Sequence, residues 1–95
     1  MNKFNSDEKR MQQYEAIIDC LNLKIGARYR ANTKTTQAHI DARFKEGYTV
    51  KDFITVIQKK CNEWYGTEYE KYLCPNTLFG KKFEEFLNSK RKDDL

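Results

Sequence analysis

The sequence predicts an all-α protein, a compact bundle of four to five helices around an aromatic core. Three observations predict it. Apolar residues recur at steps of three and four along most of the chain, and no segment alternates as a half-buried strand would. Thirteen aromatics, six Phe, six Tyr and one Trp, are many for this length and would supply much of the core area. A chain of 95 residues is one small domain, able to bury about 60–65% of its unfolded surface. The expected division is a flexible N-terminus over 1–6, a single helical domain over 7–88 and a charged flexible tail over 89–95.

The first helix opens at Asn5 or Ser6 as N-cap, with Asp7 and Glu8 suiting the positive pole of a helix start. Met11, Tyr14, Ile18, Leu21 and Ile25 then mark one face, widened by Ile17, and Gly26 ends it. A polar loop follows, Ala27-Arg28-Tyr29-Arg30-Ala31-Asn32. The second helix starts near Thr33 or Thr36 and runs to Lys45, with Ala38, Ile40 or His39, and Phe44 inward. Gly47 closes it in the left-handed conformation that helix ends favour. Thr49 caps the third helix with Asp52 three residues on, while Tyr48 is placed to staple against Phe53. Val50, Ile54, Ile57, Cys61 and Trp64 form its stripe, flanked by Phe53, and Gly66 stops it. Thr67 and Glu70 have capping-box spacing, which predicts a short helix over 68–73. Pro75 stops that segment because it lacks an N–H and holds Cys74 extended. Thr77 then caps a closing helix over 78–88, with Phe79, Phe83, Phe86 and Leu87 on one face. Gly80, inside that helix, costs about 1 kcal/mol relative to Ala. Two explanations suit it: close packing against Trp64 or Tyr72, or a helix start left open for a phosphate beside Lys81 and Lys82.

Composition excludes several function classes. Apolar content of 39% and charged content of 34% fit a folded soluble protein. No apolar run approaches the roughly 20 residues a bilayer crossing needs, and the polar N-terminus through Arg10 is no signal peptide. A cytoplasmic location in a bacterial host cell, without membrane contact, is expected. Cys20, Cys61 and Cys74 lack the paired spacing of a zinc site, so no metal or cofactor is expected and the thiols are read as reduced, with Cys74 the most exposed. His39 has no Ser or Cys partner at a catalytic spacing. The four glycines are scattered and form no phosphate loop. Adjacent carboxylates such as Glu84-Glu85 and Asp93-Asp94 point apart on a helix. The chain is read as a non-enzyme.

Charge is more informative. The net value is +4, but from Lys24 through Ile40 there is no acid. Lys24, Arg28, Arg30 and Lys34 lie there with Tyr29 among them. Arginines fork onto phosphate oxygens and a tyrosine can stack on an unpaired base, so this stretch, supplemented by Lys81 and Lys82, is the candidate DNA-binding set. About four phosphate contacts imply weak, salt-sensitive, largely sequence-independent binding. The competing reading leaves Lys24 and Arg28 solvating a helix end and packs Tyr29 inward. A second candidate surface gathers around Gly66, where Trp64, Tyr65, Tyr69 and Tyr72 cluster. Trp64 is expected to be buried, leaving Tyr65 and Tyr69 as candidate protein-binding residues, since Tyr and Trp dominate binding hot spots.

A longer pattern runs through the chain. Ile17-Ile18 with Leu21-Asn22, Tyr29-Arg30 with Asn32-Thr33-Lys34, and Ala42-Arg43 lead to Lys45-Glu46-Gly47-Tyr48-Thr49. Asp52-Phe53, Val56-Ile57, Lys60 and Glu63-Trp64 follow. Tyr72-Leu73, Pro75, Thr77-Leu78-Phe79-Gly80, Phe83 and Leu87-Asn88 complete it. In order and spacing this resembles the C-terminal domain of phage and prophage replication proteins, the DnaD-like replisome organisers. Ala31 and Cys74 depart from it, standing where that family usually has Pro and Arg, and the second departure removes a cation beside the signature. The resemblance implies a module associated with binding DNA and helping to recruit the replicative helicase machinery. The expected function is therefore a non-enzymatic accessory module of a phage DNA-replication protein that binds DNA weakly. The alternative is a protein-interaction module, free-standing or part of a longer protein, that docks on a helicase loader or helicase of phage or host to recruit or block it.

Overall fold

The computed structural model describes residues 6–90, so the first five and last five positions, including Asn5 as a cap and most of the predicted tail, lie outside the described residues. Helix α1 spans Ser6–Ile25, α2 Lys34–Lys45, α3 Val50–Trp64, α4 Pro75–Leu78 and α5 Phe83–Asn88, with a 3₁₀ turn at Glu70–Tyr72. Among the described residues there is no strand, and the fold is all-α.

The local signals in the sequence produce the expected junctions. Tyr14, Ile17, Ile18 and Leu21 bury the predicted face of α1. Gly47 takes φ +101°, and its N–H bonds to the Phe44 carbonyl while that of Tyr48 bonds to the Arg43 carbonyl. Those paired bonds satisfy carbonyls that a helix end otherwise leaves orphaned, and a Cβ at that φ would be strained. At α3, Thr49 Oγ1 accepts from the Asp52 N–H at 3.3 Å while Asp52 Oδ2 accepts from the Thr49 N–H at 2.9 Å, a reciprocal capping box.

Side-chain placement departs from the stripes in several places. On α2, Thr36 and Ile40 are buried but Ala38 is exposed, because it lies roughly half a turn from that face. On α3 the buried face is Phe53, Val56, Ile57, Lys60 and Cys61, whereas Val50, Ile54 and Trp64 are only half-buried. Two neighbours, α1 and α5, pack on α3 and turn this face inward. The ring partner of Tyr48 is Phe83 at 4.9 Å, not the expected Phe53. Phe53 itself is the hub, with Phe44, Phe79 and Phe83 around it at 5.3, 5.1 and 4.7 Å.

The C-terminal third differs most. The 68–73 segment makes only the 3₁₀ turn. Thr67 donates its hydroxyl to the Trp64 carbonyl, and Glu70 reaches the Gly66 N–H instead of completing a box with Thr67. The single closing helix is split in two. Pro75 starts α4, where its missing N–H costs nothing and its φ suits a first turn. Cys74, not Thr77, is the extended residue before it. Gly80 lies in the break between α4 and α5. An added Cβ there would come within 2.7 Å of the Asn76 carbonyl oxygen, so the glycine serves its own chain's reversal and not packing on Trp64 or Tyr72. Helix α5 begins only at Phe83. Phe79, Phe83 and Phe86 are buried as the aromatic stripe predicts, while Leu87 is half-buried.

Long side chains tie these pieces together. Arg43 of α2 donates from Nη1 to the Phe79 and Gly80 carbonyls at 3.2 and 2.5 Å, holding the elbow between α4 and α5. Lys59 of α3 donates to the Leu87 and Ser89 carbonyls at 2.7 and 2.8 Å. That places a cation at the negative end of α5. Lys60 is 5% exposed, with Nζ 4.9 Å from the centroids of both Trp64 and Phe86 and an ion pair to Glu63 at 2.7 Å. A buried ammonium is tolerated there because ring faces and a carboxylate replace water.

Candidate functional site

The direction of the helices decides which surface residues meet. Gln37, Asp41 and Phe44 of α2 all reach α1 near Arg10–Tyr14, through Met11, through Arg10 and Tyr14, and through Arg10 respectively. Helix α2 thus crosses the first half of α1. Phe44 in turn packs on Phe53 at the start of α3, while Lys24 and Cys20 near the end of α1 lie within electrostatic reach of Cys61 near the end of α3. Helices α1 and α3 therefore run in the same direction. Their C-terminal ends share one pole.

The α1–α2 loop is held at this pole. Asn22 clamps the backbone of Tyr29, its Oδ1 accepting from the Tyr29 N–H and its Nδ2 donating to the Tyr29 carbonyl, both at 2.9 Å. The Tyr29 side chain is 40% exposed, which corrects the inward packing considered from sequence. The clamp fixes the backbone and leaves the ring part covered and part exposed, with its hydroxyl within electrostatic reach of Cys74. Burial, and secondarily Cys74, push that hydroxyl above its ordinary range.

The predicted DNA-binding residues Lys24, Arg28, Arg30, Lys34, Lys81 and Lys82 are all exposed. None of them joins an ion pair among the described residues. They do not form one cluster. Lys24, Arg28 and Arg30 belong to the shared pole, and Lys34 opens α2. Lys81 and Lys82 follow Gly80, whose carbonyl is held by Arg43 near the other end of α2. From Lys34 to Arg43 the helix rises roughly 14 Å, so the cations occupy separate stations.

The predicted protein-binding residues also lie at the shared pole. Tyr65 is 53% and Tyr69 48% exposed, and Tyr72, at 43%, belongs with them. Trp64 is half-buried beneath, with its ring 6.5 Å from Tyr69, 6.1 Å from Tyr72 and 5.6 Å from Phe86. Tyr69 and Tyr72 stack with centroids 6.4 Å apart.

A comparison with protein families decides what kind of domain this is. The family described as the conserved phage C-terminus matches residues 17–88. The chain belongs to that family. Its description names a phage domain and says nothing of replication. Comparison with curated proteins and with solved structures returns no match. The match covers the Phe53 cluster, the Arg43 and Lys60 contacts and the whole pole described above.

The thiols take structural positions. Cys61 is buried, and Cys20 and Cys74 are half-buried, so Cys74 is not the freely exposed thiol expected of its loop. It donates from Sγ to Thr77 Oγ1 at 3.4 Å. Burial raises the Cys20 and Cys61 thiols, only partly offset by Lys24, which leaves them protonated and poor nucleophiles. Sequence reasoning gave Arg43 and Lys60 no individual role. Both stood in the longer pattern, but burial among rings or beneath a backbone elbow has no local signature. Among the described residues, no helix is long and apolar enough to cross a membrane.

Proposed function

We propose that this chain is a non-enzymatic accessory module of a phage DNA-replication protein that binds DNA through phosphate contacts. The observation that carries the proposal is a set of exposed cations that join no ion pair among the described residues. Lys24, Arg28, Arg30, Lys34, Lys81 and Lys82 keep their charge available to an outside anion. Arg43, Lys59 and Lys60, by contrast, are committed internally. Membership of a phage domain family supports the phage context, and the replication role rests on the resemblance to DnaD-like replisome organisers. With about four phosphates neutralised, DNA affinity should fall on the order of a hundredfold between about 50 and 200 mM salt. Titration of labelled DNA measures this, and reversing charge at Arg28 and Arg30 should abolish most of the binding. Salt-independent binding, or binding that survives the reversal, would end the proposal.

A second reading rests on Tyr65 and Tyr69, whose exposed rings suit a protein partner such as a helicase loader or helicase. Pull-down from host lysate with wild type and a folded Tyr65→Ala, Tyr69→Ala double variant is expected to show a partner lost in the variant. Retention of every partner would remove that reading.

A further inference from the structure

Two features that stand about 35 residues apart in sequence, the basic loop and the tyrosine cluster, occupy one end of the folded chain. Helices α1 and α3 run the same way, so Lys24 near the end of α1 and Trp64 and Tyr65 at the end of α3 lie at one pole, and Arg28 and Arg30 flank the Tyr29 that Asn22 holds there. The 3₁₀ turn folds back over Trp64, with Tyr72 at 6.1 Å from its ring. Cys74, two residues past Tyr72, lies within electrostatic reach of the Tyr29 hydroxyl. The Asn22 clamp holds Tyr29 in the middle of the cations while leaving its ring exposed. Lys71 places its ammonium over the Tyr72 ring, 5.4 Å from the centroid.

Resting on the DNA-binding reading above, we infer that this pole takes single-stranded nucleic acid, with bases stacked on Tyr29 and Tyr72 and phosphates held by Lys24, Arg28 and Arg30. Duplex DNA turns its bases inward and offers a protein only phosphates and groove edges. A pole built only to hold phosphates has no use for exposed aromatic rings. A single strand offers base faces of any sequence, and cations interleaved with aromatics match its alternation of charge and π-surface. Four acids stand nearby and define the limit of the track, the first of them Asp19, exposed in the same cleft as Lys24. Glu63 is neutralised by Lys60 and Glu70 is bonded to the Gly66 N–H. Glu68 is exposed on the Tyr65–Tyr69 side, which turns the phosphates toward Tyr29 and away from Tyr65.

The test is fluorescence anisotropy with the full chain, using a labelled oligothymidylate of about 12 nucleotides and a duplex of the same length. The variants are Tyr29→Ala, Tyr72→Ala and Tyr72→Phe, each checked for the wild-type melting temperature. Each Ala variant should weaken oligothymidylate binding about tenfold, and Tyr72→Phe should retain it because the ring survives. Duplex binding should change less than twofold. Ala variants that bind the single strand like wild type, while reversal at Arg28 and Arg30 still removes binding to both DNAs, would overturn this inference and leave the phosphate-contact function standing. Equal loss on single strand and duplex would also overturn it. Wild type that binds neither DNA would overturn both readings and leave the tyrosines to a protein partner.

Discussion

Replacing Phe83 with Ala is expected to unfold the chain or nearly so. Phe83 is 1% exposed and its ring lies 4.7 Å from Phe53 and 4.9 Å from Tyr48. It joins α5 to the start of α3 and to the loop before it. Truncating a buried Phe to Ala typically costs about 3–5 kcal/mol through lost transfer energy and a residual cavity. A domain of this size has about 5–15 kcal/mol of stability in total. Lys82→Ala, one position earlier and exposed, should leave the melting temperature almost unchanged. Thermal and urea melts of the two variants check the contrast. If Phe83→Ala melted like wild type, the stripe of Phe79, Phe83 and Phe86 would be a partner-binding face and not part of the core.

Arg43→Ala should be the most damaging substitution of a charged residue, at about 3 kcal/mol. Its guanidinium supplies the elbow carbonyls of Phe79 and Gly80 with donors. It also pairs with Glu46, whose Oε1 is 2.9 Å from Nε and whose Oε2 accepts from Nη2 at 3.0 Å. Removing it leaves two partly buried acceptors without their charged donor, and each such loss costs about 1–3 kcal/mol. Arg43→Lys keeps the charge but not the fork and should recover less than half of the loss. Urea denaturation would show this as a lowered midpoint with an unchanged slope. A wild-type midpoint for Arg43→Ala would mean that Pro75 and the packing of Phe79 hold the elbow unaided.

These two residues illustrate different degrees of legibility. Phe83 stands on an aromatic stripe that the sequence displays directly, because periodicity of three and four reports which side of a helix faces inward. Arg43 shows no such pattern, since its partners stand 36 and 37 residues further along the chain. The same division separates Cys61, placed inward by its stripe, from Lys60, whose burial depends on Trp64 and Phe86 closing over it from α3 and α5. A positive charge on a helix reads as solvated until the rings that replace water are in place.

By itself, the sequence determined what local chemistry controls: the all-α class, the capping box at Thr49 and Asp52, the left-handed Gly47, the buried face of α1 and the acid-free run beginning at Lys24. Each depends on residue type and on spacing along one continuous segment of chain, which the sequence displays directly. Tertiary structure alone decided the split at Gly80, the roll of α3 about its axis, the separation of Lys81 and Lys82 from the basic loop, and the approach of the Tyr29 hydroxyl to Cys74. Those outcomes depend on the relative direction of α1 and α3 and on the crossing of α2. Many sequences with the same stripes could dock their helices in other ways. Side chains such as Asn22, Arg43 and Lys59, reaching backbone far along the chain or across a loop, select this arrangement.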